Sequence, residues 1–195
     1  MRPKKIIDHE ANAKILDAAM YYFNRNGYAT TRTSEIAVMG ASSETAIFRM
    51  FQSKAGLANA CLGTCLESQY LIRADHVDLS IPGRQLFRKI CETHMNFYLR
   101  TPERYIFTLV TSHHDFIDED NKLHMQKWRL NSFNVVRLLM NNGKLKDHSI
   151  EMTLSVFFGS FIRLAQNAFA GHITITSKEI EAMSSILWQS LGTDD

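Results

Sequence analysis

Residues 42–54 read Ser42-Ser43-Glu44-Thr45-Ala46-Ile47-Phe48-Arg49-Met50-Phe51-Gln52-Ser53-Lys54. Serine favours the first position of a helix, and the spacing of Ile47 and Phe51 places both on a face that can pack inward. The opposite face gathers hydrogen-bonding groups and one aromatic ring, carried by Glu44, Thr45, Phe48 and Arg49. Such a face suits the major groove of DNA. A solvated helix face with one exposed phenylalanine would give the same pattern.

The residues before this segment predict two further helices and a turn. An apolar stripe over residues 10–26 predicts a supporting helix, and residues 32–39, preceded by Thr31, predict a short second helix. The turn is expected at Gly40-Ala41-Ser42. Two short helices joined by a tight turn behind a supporting helix form a helix-turn-helix, a common DNA-binding motif.

Lys54 begins a fourth helix, predicted to continue towards residue 74. A lysine in the first turn opposes the helix dipole, which is locally unfavourable. A phosphate bound there would be contacted by the lysine, by the Ser53 hydroxyl and by free N–H groups. A flexible lysine pointing into water is the alternative.

Two segments resemble the TetR family of repressors. Residues 27–37 are Gly27-Tyr28-Ala29-Thr30-Thr31-Arg32-Thr33-Ser34-Glu35-Ile36-Ala37, similar to the end of the first helix and the beginning of the second in that family. Residues 42–54 resemble the family's recognition helix and its Phe-x-Ser-Lys signature. The resemblance covers residues 10–60 without a gap. It implies that the DNA-binding residues are Thr33, Ser42, Ser43, Glu44, Thr45, Phe48, Arg49 and Lys54.

Three departures from the family pattern put the operator sequence in doubt. The turn reads Gly40-Ala41-Ser42 where Ala-Gly and an aliphatic residue are usual, so the turn geometry is expected to differ. Glu44 and Thr45 replace a common lysine or glycine, and glutamate can accept a hydrogen bond from cytosine N4. Phe48 stands where tyrosine is frequent and lacks its hydroxyl.

The whole chain is predicted to be all-α, with nine helices. Only three prolines occur, and strand-like alternation is nearly absent. Thr176 and Glu179 form a capping box at the beginning of the ninth helix, and Ile175 and Ile180 are placed for a hydrophobic staple. We expect a helix-turn-helix domain at residues 1–55, followed by a helical effector-binding and dimerisation domain at residues 56–195.

The last two helices carry apolar stripes. These can be buried internally or can form half of a four-helix interface, and the TetR resemblance favours an interface around a two-fold axis. The predicted homodimer interface consists of Leu154, Phe157, Phe158, Phe161, Ile180, Met183, Leu187 and Trp188.

The fifth to seventh helices are rich in aromatic residues and histidines. Such residues are mostly core, but apolar walls with a few polar groups also build small-molecule pockets. By resemblance, an inducer is held between these helices, and the fourth helix is the expected lever. The predicted effector pocket contains His94, Tyr98, Phe107, Phe116 and Trp128.

Composition narrows the class of protein. The chain has 195 residues with a net charge of +2, and residues 1–55 carry eight basic against five acidic side chains. No apolar run suggests a membrane span and no secretory signal is evident, so a cytoplasmic protein is expected. Three cysteines without a framework spacing argue against disulfides. Neither a cofactor nor a metal is expected, and no common catalytic motif occurs.

The predicted function is therefore a ligand-responsive transcriptional regulator and not an enzyme. It is expected to be a repressor that binds palindromic operator DNA as a homodimer and is released by a small apolar or aromatic effector. The alternative is a helical small-molecule-binding protein, or an enzyme, that does not bind DNA.

Overall fold

A computed structural model describes residues 9–68 and 73–193. These residues form nine α-helices and one short 3-10 turn, which confirms the all-α fold. The helices are α1 (His9–Asn26), α2 (Thr33–Met39), α3 (Glu44–Phe51), α4 (Lys54–Ser68), α5 (Gly83–Arg100), α6 (Pro102–Leu109), α7 (Glu119–Asn141), α8 (Ile150–Phe169) and α9 (Ser177–Leu191). Within the described ranges, no helix has the length and apolarity needed to cross a membrane.

The helices divide into two compact units. Within the described part, the N-terminal unit contains residues 9–68 and 106–122, and the C-terminal unit contains residues 73–105 and 123–193. Helix α6 therefore begins in one unit and ends in the other. The functional boundary expected after residue 55 is a different kind of division and remains a prediction.

The N-terminal unit is built on the apolar stripe of α1. Ile15, Ala19 and Phe23 are buried together with Ile36 of α2 and Ile47 of α3. Burial of side chains of this size contributes about 1.5–3 kcal/mol each. The stripe therefore fixes the short helices α2 and α3, which are too short to be stable alone.

The beginning of α2 differs from the sequence prediction. Thr31 is buried, and its hydroxyl donates to the Gly27 carbonyl oxygen at 2.8 Å. Thr31 therefore holds the corner after α1 and does not cap α2. The residue before α2 is Arg32, whose backbone N–H donates to Glu35 Oε2 at 3.2 Å.

The turn between α2 and α3 explains its unusual sequence. A Cβ at Gly40 would lie 3.1 Å from Ile15 Cα, so glycine lets the turn approach α1 closely. The left-handed backbone conformation falls one residue later, on Ala41, at a φ of 50°. A residue with a Cβ costs about 1–2 kcal/mol in that region. The turn thus differs from the usual Ala-Gly pattern in one respect: glycine stands at the close approach to α1, and alanine adopts the left-handed conformation.

In the C-terminal unit, α9 packs against α5 and α8. The capping box at its beginning forms as predicted, with the Thr176 backbone N–H donating to Glu179 Oε2 at 2.9 Å. Ile175 and Ile180 are both buried, as a hydrophobic staple requires.

Candidate DNA-binding surface and effector cavity

Helix α3 presents one face to solvent because its other face is fixed. The Ser43 hydroxyl accepts a hydrogen bond from the Ala46 backbone N–H at 3.1 Å, which caps the helix, and Ile47 is fully buried. The residues opposite Ile47 are exposed: Glu44, Thr45, Phe48 and Arg49. Phe48 retains 43% of its surface in contact with solvent. An aromatic ring this exposed on a well-packed helix is available to a partner.

Thr33 joins this face from α2. Its hydroxyl donates to Glu44 Oε2 at 2.7 Å, so the first residues of α2 and α3 are linked directly. Ser42 is partly exposed in the turn, where its backbone N–H donates to the Ala37 carbonyl oxygen at 2.8 Å. All the sequence-predicted DNA-binding residues lie at least partly at the surface, and their contacts with DNA remain predictions.

Lys54 is held in place and does not point freely into water. Its Nζ donates to the Ala29 carbonyl oxygen at 3.1 Å and lies 4.7 Å from the centre of the Tyr28 ring. Partial burial lowers the pKa of Lys54. The Ser53 hydroxyl accepts from the Gly56 backbone N–H at 2.9 Å and caps α4. The lysine ammonium and the helix N-terminus are thus placed together, as an anion site requires.

Two features of the α4 region were not found from the sequence. A Cβ at Gly56 would lie 2.0 Å from the Phe51 carbonyl oxygen, so glycine is needed where α4 leaves α3. Asn59 donates from Nδ2 to the Phe116 carbonyl oxygen at 2.6 Å, and its Oδ1 accepts from the Asp118 backbone N–H at 3.0 Å. A lone asparagine in a helix gives no signal of such long-range contacts.

Comparison with known proteins decides the class of this helix-turn-helix. Residues 15–61 match the family model described as bacterial regulatory proteins, tetR family. These residues therefore carry a TetR-type helix-turn-helix. The match covers the helix-turn-helix described above, including α2, α3 and the Ser53–Lys54 pair.

A curated relative also matches part of the chain. This relative is the uncharacterized HTH-type transcriptional regulator YvkB of Bacillus subtilis (strain 168), which is 49% identical to this chain over 51 residues. The match spans 26% of this chain and 27% of that relative, about a quarter of each.

Solved structures share the fold along nearly the whole chain. A bacterial regulatory protein in the tetR family from Rhodococcus RHA1 has a TM-score of 0.77 at 15% identity, covering 95% of this chain and 98% of that one. A TetR family transcription regulator from Marinobacter aquaeolei VT8 has a TM-score of 0.74 at 17% identity, covering 96% and 98%. At 15–17% identity, this likeness shows that the fold is shared.

The chain also contains a cavity of about 90 Å³ in its C-terminal unit. Its walls come mainly from α5, α7 and α8, with Leu145 and Leu191 also contributing. Two of the sequence-predicted pocket residues, His94 and Trp128, line it. Neither α4 nor α6 contributes to the wall, so the site expected between the fifth to seventh helices is corrected to a cavity mainly between α5, α7 and α8.

His94 is the ionisable residue of this cavity. Its Nε2 lies 2.8 Å from the Tyr105 hydroxyl, and its ring is 5.3–5.5 Å from the rings of Phe157, Phe158 and Phe161. Burial among these rings lowers the pKa of His94 to about 4. The imidazole is therefore neutral at physiological pH.

The other three predicted pocket residues lie elsewhere. Tyr98 is buried with its ring 5.4 Å from the ring of Tyr105 and is not part of the cavity wall. Phe107 and Phe116 belong to the N-terminal unit, where their rings are 6.1 Å apart and that of Phe107 is 6.0 Å from Phe23. These three rings pack in the core. Core packing was the alternative to a small-molecule pocket that the sequence had left open for the aromatic residues.

The predicted dimer interface also needs correction. Phe157, Phe161, Ile180 and Leu187 are already buried in the single chain, with 0–9% of their surface exposed. Their apolar faces pack within the protomer and are not available to a partner. Leu154 and Phe158 line the cavity, and the Trp188 ring lies 5.6 Å from that of Phe87, whereas Met183 is partly exposed.

Other apolar residues of the last two helices do face solvent. Met152 of α8 is 48% exposed and Ile186 of α9 is 59% exposed. Gly159, on the same face of α8 as Met152, is also exposed and would allow another helix to approach closely. The solvent-exposed face of α8 and α9 is therefore distinct from the stripe that the sequence emphasised.

Proposed function

We propose that this protein is a TetR-family transcriptional repressor of the cytoplasm. It binds palindromic operator DNA as a homodimer and is released by a small molecule bound in the cavity of the C-terminal unit. The observation that carries the proposal is the exposed face of α3, fixed by the Ser43 cap and the buried Ile47. A rigid helix face with donors, an acceptor and an aromatic ring is what major-groove recognition requires.

The contacts divide by role. Glu44 on α3 is assigned to a base edge, and Arg49 is assigned to a base edge or a nearby phosphate. Thr33 and Lys54 are assigned to phosphates on either side. The hydrogen bond of Lys54 to Ala29 and the adjacent Tyr28 ring preset the position of the ammonium. Presetting lowers the entropy lost when a phosphate binds.

A mobility-shift assay tests DNA binding. Arg49→Ala should weaken binding to the operator, whereas Arg137→Ala, an exposed arginine of α7, should bind like the unaltered protein. Equal binding by all three would remove α3 from the interface. A chain that binds small molecules but no DNA at any salt concentration would favour the alternative of a ligand-binding protein.

The homodimer is proposed to form through the exposed face of α8 and α9, with Met152, Gly159 and Ile186 near its centre. Exposed apolar side chains on adjacent helices favour association. A two-fold dimer would present two copies of α3, and a palindromic operator has the same symmetry.

Helix α6 offers a route for the release of DNA. Its Tyr105 is bonded to His94 of the cavity wall, and two residues further along, Phe107 contacts Phe23 and Phe116 in the N-terminal unit. A ligand that displaces Tyr105 would bias the position of α6. Tyr105→Phe should bind operator normally but should lose much of the ligand-induced release, measured as the ratio of DNA affinities with and without ligand. An unchanged ratio would exclude this route.

A further inference from the structure

The cavity of the C-terminal unit has no charged wall. None of the residues that line it is aspartate, glutamate, lysine or arginine. Aromatic and aliphatic side chains dominate, and the polar ones are Thr93, His94, Asn131, Ser132 and Thr153. The charge and hydrogen-bonding pattern of a ligand must match this set.

Several of these polar groups already use their protons. The Thr153 hydroxyl donates to the Ser149 carbonyl oxygen at 3.1 Å, and the Ser132 hydroxyl donates to the Trp128 carbonyl oxygen at 3.2 Å. Both hydroxyls can then offer only lone pairs to a ligand.

His94 supplies a donor. The fully buried Tyr105 hydroxyl has no other acceptor among the described residues, so it donates to His94 Nε2. The imidazole proton of the neutral ring is then on Nδ1. No described residue accepts a hydrogen bond from Nδ1, which leaves it for an occupant of the cavity.

An ionic ligand would find no partner here. Burial of an unpaired ion costs several kcal/mol even after relaxation of the protein. An anion would need a protonated His94 as its counter-ion. The pKa of His94, about 4, opposes that protonation at neutral pH. A cation would be attracted by an aromatic face, but this attraction is smaller than the cost of its burial.

We infer that the effector is an uncharged molecule with an aromatic or compact alkyl body and an oxygen, such as that of a phenol, ketone or ether, which accepts a hydrogen bond from the His94 Nδ1–H. This inference rests on the proposed function, in which the cavity is the effector site. The cavity volume of about 90 Å³ favours a compact body.

Larger ligands of this class have a place to extend. A groove of about 260 Å³ lies beside the cavity, and Trp128, Ser132, Leu154 and Phe158 line both. Unlike the cavity, the groove also has charged side chains in its wall, those of Arg129 and Glu151. The rings of Trp128 and Phe158 are 5.1 Å apart and form part of the shared wall. A ligand in the cavity would therefore change the surroundings of Trp128.

Three probes of one shape and different charge test the inference: 4-tert-butylphenol, 4-tert-butylbenzoate and 4-tert-butylbenzylammonium. Calorimetry at neutral pH should give at least about tenfold tighter binding of the phenol than of either ion. The chain has two tryptophans, so in Trp188→Phe the phenol should alter the fluorescence of the remaining Trp128. His94→Phe should weaken the phenol about tenfold, whereas His94→Gln, which keeps a donor and an acceptor, should retain most of the affinity.

Equal or tighter binding of either ion would overturn the inference, as would failure of all three probes to bind a folded protein that still binds DNA. Unchanged phenol binding in His94→Phe would also overturn it. Preference for the phenol supports the ligand class even if the DNA affinity does not respond, and that lack of response would count against the proposed switch alone. If the unaltered protein did not bind DNA, that result would count against the proposed repressor and not against the ligand class.

Discussion

Thr33 Oγ1 donates a hydrogen bond of 2.7 Å to Glu44 Oε2, which links the residue that begins α2 to the residue that begins α3. The resemblance to TetR repressors assigns Thr33 to a phosphate and Glu44 to the reading face. The carboxylate at this position repels phosphate while it holds the threonine hydroxyl. Non-specific affinity is therefore expected to be reduced, and a base that can donate to Glu44 is expected to be favoured.

Glu44→Ala is therefore expected to raise affinity for random DNA several-fold and to relax sequence preference. Thr33→Val is the matched control, since it removes the hydrogen bond and keeps the carboxylate. It should weaken all sequences without changing the preferred one. Selection from random duplexes by each protein provides the measurement, and identical motifs for the unaltered protein and Glu44→Ala would remove Glu44 from the reading face.

Lys54→Ala is expected to weaken binding to every sequence by a similar factor. One phosphate contact fewer should reduce the slope of log affinity against log salt by about one unit. Lys54→Arg keeps the charge and should keep most of the slope. Anisotropy titrations over a salt series compare the three proteins. An unchanged slope in Lys54→Ala would show that this lysine only packs on Tyr28.

Substitutions on the exposed and the buried face of the last two helices should have different effects, the first on dimer formation and the second on stability. Ile186→Glu, on the exposed face of α9, should give folded monomers, whereas Leu130→Glu on α7, where the leucine is 62% exposed, should leave the dimer intact. Phe161→Ala, at a fully buried site, should cost about 3–5 kcal/mol of stability. Light scattering and thermal unfolding separate these effects. A dimer that survives Ile186→Glu would place the interface elsewhere.

Stability should fall in mild acid partly because of His94. The pKa of His94 is about 4 in the folded protein against 6.5 for an ordinary histidine, so the unfolded chain takes up the proton first as pH falls from 6.5. The stability of the folded protein is therefore unaffected by the titration of His94 above pH 6.5. It falls by up to about 3 kcal/mol as the pH decreases towards 4. Burial also lowers the pKa of His113, so this residue contributes to the same pH dependence. The contribution of His94 is therefore isolated by comparing the unaltered protein with variants.

In denaturant titrations, His94→Gln should lose less stability than the unaltered protein over this pH window. His114→Gln, at an exposed position, should follow the unaltered protein. Parallel curves for all three would mean that His94 is not buried as a neutral ring.

Local features of the fold could be predicted from the sequence. The capping box of α9 depends on residues three apart, and α3 needs only its cap and one buried isoleucine, so short-range pattern was sufficient. Thr31 was misassigned because a threonine hydroxyl before a helix can cap that helix or bond backward, and only the contact with Gly27 decides.

Long-range partners could not be predicted in the same way. The apolar stripe of α8 shows that one face is buried but not whether Phe161 meets its own chain or a partner. Likewise, aromatic composition suggested Phe107 and His94 as neighbours in one pocket, whereas Phe107 packs on Phe23 and His94 bonds to Tyr105. Tertiary contacts of this kind leave no periodic signal.

Selection from a pool of random duplexes by the purified protein tests the central claim most directly. We expect enrichment of an inverted repeat whose half-site centres are separated by about 10–10.5 base pairs or a multiple of that distance. Arg49→Ala should enrich no such repeat. A pool with no enriched sequence, or the same repeat recovered by Arg49→Ala, would contradict the claim that two copies of α3 read the operator.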